Sequence, residues 1–183
     1  MSLGIYKEVF KSARNKFETN FKQSAIKQGV YIYKIKDMFV PPECRVCKKS
    51  SMKIGPNEFD FIMYKHPYLF TLELKSTKQK SIQITEKIIK EHQINALKKS
   101  TKYAGIIAGF IFNFLNYDNQ TFFVHINDFV WLLEEKKKSI SLNFCQKVGT
   151  RINNKLLSVN YEYDIVEFVQ SVGEKYRAKI YDD

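Results

Sequence analysis

The sequence predicts an α/β fold, a central mixed β-sheet flanked by α-helices, and three observations carry that reading. An apolar residue recurs every fourth position through the first 28 residues. Two alternating β-type runs follow, closed by His66-Pro67. Later a long apolar run is succeeded by another strand and two amphipathic helices. The 183 residues suit a single domain, and 44% hydrophobic content can fill its core.

From Ile5 to about Gln28, Val9, Ala13, Phe17, Phe21 and Ala25 make one helical stripe. Gly29 ends it, because glycine accepts the left-handed backbone of a helix terminus without cost. Val30 to Lys36 alternates and reads as a strand. Residues 37–57, with Pro41-Pro42, read as a projecting loop. Glu58–Lys65 and Tyr68–Lys75 read as a hairpin, with Leu72 and Leu74 on one face and Thr71, Glu73 and Lys75 on the other. A polar loop leads to a helix from Thr85, a candidate N-cap, to Lys99. Ala104 to Leu115 is a buried strand in which Phe110, Phe112 and Phe114 suit a core better than a base-stacking platform. Thr121–Ile126 is another strand. Asn127 or Asp128 caps a short helix bearing Trp131, and a last helix over 164–176 faces Ile165, Phe168, Val169 and Val172 inward.

The formal net charge is +11, from 30 Lys and Arg against 19 Asp and Glu. An excess of this size speaks of partners more than of fold, and a polyanion is the natural one. No run is long and apolar enough to span a bilayer, and early charges break any signal-peptide pattern, so a cytoplasmic protein without membrane contact is expected. A membrane-surface role lacks its basic amphipathic helix with an aromatic face. Cys44 and Cys47 form a lone CxxC without a second ligand pair, so reduced thiols are the simpler reading than zinc.

The hairpin register concentrates the chemistry. A turn centred between His66 and Pro67, in a four-residue loop, sets Asp60 opposite Glu73 and Glu58 opposite Lys75. Directly opposed Cβ atoms lie roughly 4.5–5.5 Å apart. Two carboxylates held that close repel unless one is protonated or a cation lies between them. A hard divalent ion such as Mg²⁺ (or Mn²⁺) resolves this with oxygen ligands and can polarise a phosphodiester. Lys75 can then stabilise developing negative charge. An exposed face with ordinary cross-strand ion pairs, such as Glu58 with Lys75, fits the same pattern. On that reading the chain is a non-catalytic basic DNA- or RNA-binding module.

Asp60 followed by Glu73-Leu74-Lys75 resembles the D…ExK core of the PD-(D/E)xK nucleases. With Phe17-Glu18, Tyr68 to Lys75, Ile89 to Gln93, and Gly105 to Ile111 in that order, residues 14–130 resemble the RecU family of Holliday junction resolvases. The resemblance implies a restriction-endonuclease-like core and a homodimer that cuts four-way junction DNA with Mg²⁺, in recombination and repair. It implies Asp60 and Glu73 as metal ligands, Lys75 as transition-state stabiliser, Gln93 beside the metal through water, and Glu18 completing the site from the first helix. Position 58 is usually Thr in the family, so Glu58 brings a different charge to the metal. The family's long stalk is replaced by the short segment 37–57. Arg14, Arg45, Lys48, Lys49, Lys53 and Lys78 are candidate DNA contacts. Lys136-Lys137-Lys138 reads equally as a solvated helix end or a phosphate contact. A nuclease of the same superfamily with another DNA substrate is the remaining alternative.

Overall fold

A computed structural model describes residues 16–36 and 57–181, with side chains to Tyr176. The projecting loop, the CxxC, the first fifteen residues and the candidate contacts Arg14, Arg45, Lys48, Lys49 and Lys53 lie outside them. The first described element is helix α1, residues 16–27, which Gly29 ends at φ +66°. Strands β1 (Tyr31–Lys34), β2 (Phe61–Lys65), β3 (Tyr68–Thr77) and β4 (Ser81–Gln83) come next, then helix α2 (Glu91–Ser100). β5 (Ile106–Phe114), β6 (Gln120–His125) and α3 (Ile126–Glu134) follow. The chain continues through β7 (Ser139–Ser141), α4 (Leu142–Val148), β8 (Thr150–Arg151), β9 (Asn154–Leu156) and β10 (Tyr161–Tyr163) to α5 (Ile165–Tyr181).

Six strands form the predicted mixed sheet, in the order β1-β2-β3-β5-β6-β8. Only β3 and β5 run parallel, from Leu69 beside Ile106 to Thr77 beside Phe114, and the other neighbours are antiparallel. A parallel pair needs a crossover over the sheet face. Here the crossover contains β4 and α2, which is why α2 lies above the β3–β5 seam.

Alternation along the strands divides the interior into two cores. On one face Ile32, Phe61, Met63, Leu72, Leu74 and Ile111 pack against Phe17, Phe21 and Ala25 of α1 and Ile165, Phe168 and Val172 of α5. On the other, Ala108, Phe110, Phe112 and Phe114 pack against Leu97 of α2, Phe129 of α3 and Cys145 of α4. The three phenylalanines of β5 are core residues, with Phe110 and Phe129 at 4.6 Å between ring centroids. Gly109 sits where the sheet admits no side chain: a Cβ there would lie 2.4 Å from the Val124 carbonyl oxygen.

The hairpin closes through a two-residue turn, with Lys65 paired to Tyr68 and a cis His66–Pro67 bond, not a four-residue loop. The crossover helix begins at Glu91 rather than Thr85. Residues 86–89 form a separate turn whose Ile88 and Ile89 N–H groups donate to the Thr85 carbonyl, and Lys90 is then extended at ψ 144°. The cap of α3 is His125, whose Nδ1 accepts from the Asn127 N–H, rather than Asn127 or Asp128. Glu58 lies in an exposed bend, because the β2 ladder starts only at Phe61, so the predicted pairing of Glu58 with Lys75 does not form.

Candidate active site

β3 supplies the centre. Glu73 and Lys75 alternate with Leu72 and Leu74, so they leave the first core and face the side covered by α2. Both are buried, Glu73 completely. The hairpin keeps the expected register, Phe61 opposite Leu72 and Met63 opposite Phe70. Asp60 continues that line by one residue. Its N–H donates to the Leu72 carbonyl at 3.1 Å and its carbonyl accepts from the Ile35 N–H at 2.9 Å. The Asp60 carboxylate is steered as well, since Oδ2 accepts from the Leu74 N–H at 3.0 Å.

Glu73 is the electrostatic focus. Its Oε1 accepts from Lys75 Nζ and from Gln93 Nε2, each at 2.7 Å. Its Oε2 is buried and receives no hydrogen bond. Burial and the adjacent Asp60 charge push the Glu73 carboxyl up to about 7, and Lys75 only partly opposes them. A buried oxygen without a donor, beside a second carboxylate, is costly unless a cation or proton meets it.

Gln93 is held from both ends. Its Oε1 accepts from the Lys90 N–H at 3.2 Å, at the first turn of α2, and lies 3.4 Å from Lys75 Nζ. The crossover helix thus reaches down to the sheet and fixes the two charged residues of β3.

Glu18 comes from α1, buried and bonded to Lys34 Nζ at 2.6 Å. Lys34 is paired with Phe61 in the sheet and lies 5.9 Å from its ring centroid, which puts Glu18 at the Asp60 end of β2. Glu58, exposed two residues before Asp60, is not drawn into the buried cluster. Lys78 is half-buried just past the end of β3. Two features escaped sequence reading: Lys34 as the counter-charge of Glu18, and the Leu74 N–H that orients Asp60. The alternation of β1 carries Lys34, but nothing in the sequence marks its partner.

The donor set fits a hard divalent cation better than a zinc-type site. Among the described residues no group of three or more His, Cys, Asp or Glu side chains gathers around one point. Asp60 and Glu73 offer two carboxylates, and Mg²⁺ ordinarily completes its sphere with water and phosphate oxygens.

Comparison with known proteins places the chain in a family. The chain is 39% identical to the SPbeta prophage-derived uncharacterized protein YotM of Bacillus subtilis (strain 168) over 163 residues, covering 80% of each chain. It is similar to the solved structure of Hjc, a Holliday junction resolvase from the archaeal hyperthermophile Archaeoglobus fulgidus, with a TM-score of 0.47 and 14% identity. That match covers 73% of this chain and 94% of Hjc. The model of the family described as RecU, recombination protein U, matches residues 43–170, a span that contains Asp60, Glu73, Lys75 and Gln93, and the chain belongs to that family.

Proposed function

We propose that the protein is a divalent-metal-dependent endodeoxyribonuclease that cuts branched DNA, with the four-way junction as its substrate and a homodimer as its working form. The observation that carries this reading is the donorless Glu73 Oε2 beside Asp60, buried within a basic chain of the RecU family. Paired cuts on a symmetric junction call for two sites related by a two-fold axis, hence the dimer.

Asp60 and Glu73 are the residues that would hold Mg²⁺ or Mn²⁺, with Glu18 supporting from α1. The ion, when bound, supplies Lewis-acid polarisation of the scissile phosphate and a bound water of lowered pKa. The chain's own groups do the rest. The Leu74 N–H fixes one Asp60 oxygen. Lys75 and Gln93 both bind Glu73 Oε1, which leaves Oε2 directed away from them. Lys75 places its ammonium group within the cluster, where it would orient an attacking water and stabilise negative charge on the phosphate as it becomes pentacoordinate. Gln93 is a positioning residue that holds Glu73 and Lys75 in register. Glu58 is not needed for this set.

The test is an assay of four-way junction, flap, duplex and single-stranded DNA side by side, with Mg²⁺ and with EDTA. Paired, Mg²⁺-dependent cuts in the junction support the reading. Binding of all four without cleavage would reduce the protein to a DNA-binding module.

A further inference from the structure

Beyond the catalytic cluster, exposed lysines gather around one small two-stranded ribbon. β4 and β7 pair antiparallel, Ser81 with Ser141, Ile82 with Ile140 and Gln83 with Ser139. Ile82 and Ile140 are buried in the second core and anchor the ribbon to the domain. Its ends are extended by two hydrogen bonds, from the Leu142 N–H to the Lys80 carbonyl and from the Ile84 N–H to the Lys138 carbonyl, each 2.9 Å. Lys80 and Lys138 therefore mark opposite ends of the ribbon. Lys136 and Lys137 lead into one strand, and Lys87 follows the other.

All five lysines are exposed, and none of their side chains has an ion pair or hydrogen bond among the described residues. Lys34 and Lys155, by contrast, are each bonded to a glutamate. The acids nearest the ribbon in sequence are Glu86, Glu134 and Glu135. Glu86 directs both carboxylate oxygens to the Glu91 N–H, at 3.1 and 3.4 Å. Like charges mounted on a rigid ribbon repel one another, and a polyanion laid along them removes that cost.

The ribbon is also tied to the catalytic strand. Lys80 follows Lys75 by five residues, which caps their Cα separation at about 19 Å. DNA rises about 3.4 Å per base pair. The near end of the ribbon, at Lys80, therefore lies within about six base-pair rises of Lys75.

We propose that the β4–β7 ribbon is a phosphate-contacting surface for the double-stranded arm adjoining the cut, with Lys80, Lys87, Lys136, Lys137 and Lys138 as its contacts. This rests on the DNA-cleaving reading above and adds where the duplex is gripped. Contacts of this kind position a substrate and carry no sequence preference.

The test compares two full-length variants with the same loss of charge, K80Q/K137Q/K138Q on the ribbon and K98Q/K99Q/K102Q at the far end of α2. Binding to a four-way junction and to duplexes of two sequences is measured across a salt series without divalent metal. Each phosphate contact contributes about 0.9 to the slope of log affinity against log salt. The ribbon variant should lose about 2–3 from that slope and at least about 10-fold in affinity at moderate salt, equally for both duplex sequences. The control should lose less than about 1. Unfolding midpoints are checked for both, and if the triple ribbon variant is unstable, K80Q and K137Q singly should each remove about one contact. A ribbon variant with the wild-type slope, or with no more loss than the control, overturns the proposal. A wild-type protein that binds DNA with the expected variant effects but never cuts overturns the nuclease reading alone, and one that binds no DNA overturns both.

Discussion

Gln93 Nε2 lies 2.7 Å from Glu73 Oε1, across twenty residues of sequence. The contact exists because β3 and β5 are parallel and their crossover must pass over the sheet. α2 therefore delivers Gln93 onto the residue that the hairpin delivers from below. The same glutamine accepts from the Lys90 N–H, so the start of the helix and the geometry of the site are set by one side chain.

Removing that link should loosen Glu73 without removing a carboxylate. Outer partners of metal ligands typically contribute 10–100-fold in metal affinity or activity. Gln93→Ala is expected to raise the Mg²⁺ concentration for half-maximal cleavage by about that factor, with most of the rate recovered at high Mg²⁺. A titration of rate against Mg²⁺ checks this. A lowered maximal rate at unchanged half-saturation would assign Gln93 to the chemical step instead.

Glu73 makes the metal-free protein sensitive to pH. Its carboxyl rises from 4.5 to about 7 on folding. A raised carboxyl binds its proton more tightly in the folded state. The associated stability is complete below pH 4.5 and is lost as pH climbs through 7. The loss is on the order of 3 kcal/mol. Thermal unfolding in EDTA should show wild type losing stability relative to Glu73→Gln between pH 5 and pH 8. Adding Mg²⁺ at pH 8 should restore it in wild type only. Parallel pH profiles for the two proteins would remove Glu73 as the source.

At Gly109 in β5 the packing leaves no room for a side chain. A Cβ on Gly109 would meet the Val124 carbonyl oxygen at 2.4 Å and the Phe123 ring at 2.7 Å. Backbone must move to relieve the first contact, so Gly109→Ala should cost about 2–3 kcal/mol, in the range of overpacked cores. That corresponds to a fall of roughly 5–10 °C in the unfolding midpoint. An unchanged midpoint would mean that β5 and β6 can separate locally at no cost.

Much of this arrangement is legible in the sequence, and the failures have physical causes. Phe61, Met63, Leu72 and Leu74 alternate cleanly, and a turn at His66-Pro67 leaves a single register that buries them together, which fixes Asp60 beside Glu73. The same alternation cannot say where pairing stops, so Glu58 reads as strand although the ladder ends at Phe61. Thr85 reads as an N-cap by residue type. The actual cap, Lys90, has no side-chain signature, and only Gln93 three residues later marks the start. β4, β7, β9 and β10 are three residues each, too short for periodicity to register. His125 reads as a strand residue because it ends β6, and its capping role depends on a ring nitrogen reaching the Asn127 N–H. The placement of Glu18 beside Lys34 is a tertiary fact with no local signal.

In the proposed reaction Asp60 and Glu73 act with a divalent cation and Lys75 to break a phosphodiester. The direct measurement is the initial rate of four-way-junction cleavage by wild type and by Asp60→Ala, Glu73→Ala and Lys75→Ala, at saturating protein with Mg²⁺, with junction binding measured in parallel. Wild type should cut with Mg²⁺ and not with EDTA. Each variant should bind the junction yet cut at least about 10²-fold more slowly, as expected when a group that stabilises the transition state is removed. Wild-type rates in all three variants, or cleavage that persists in EDTA, would contradict the site.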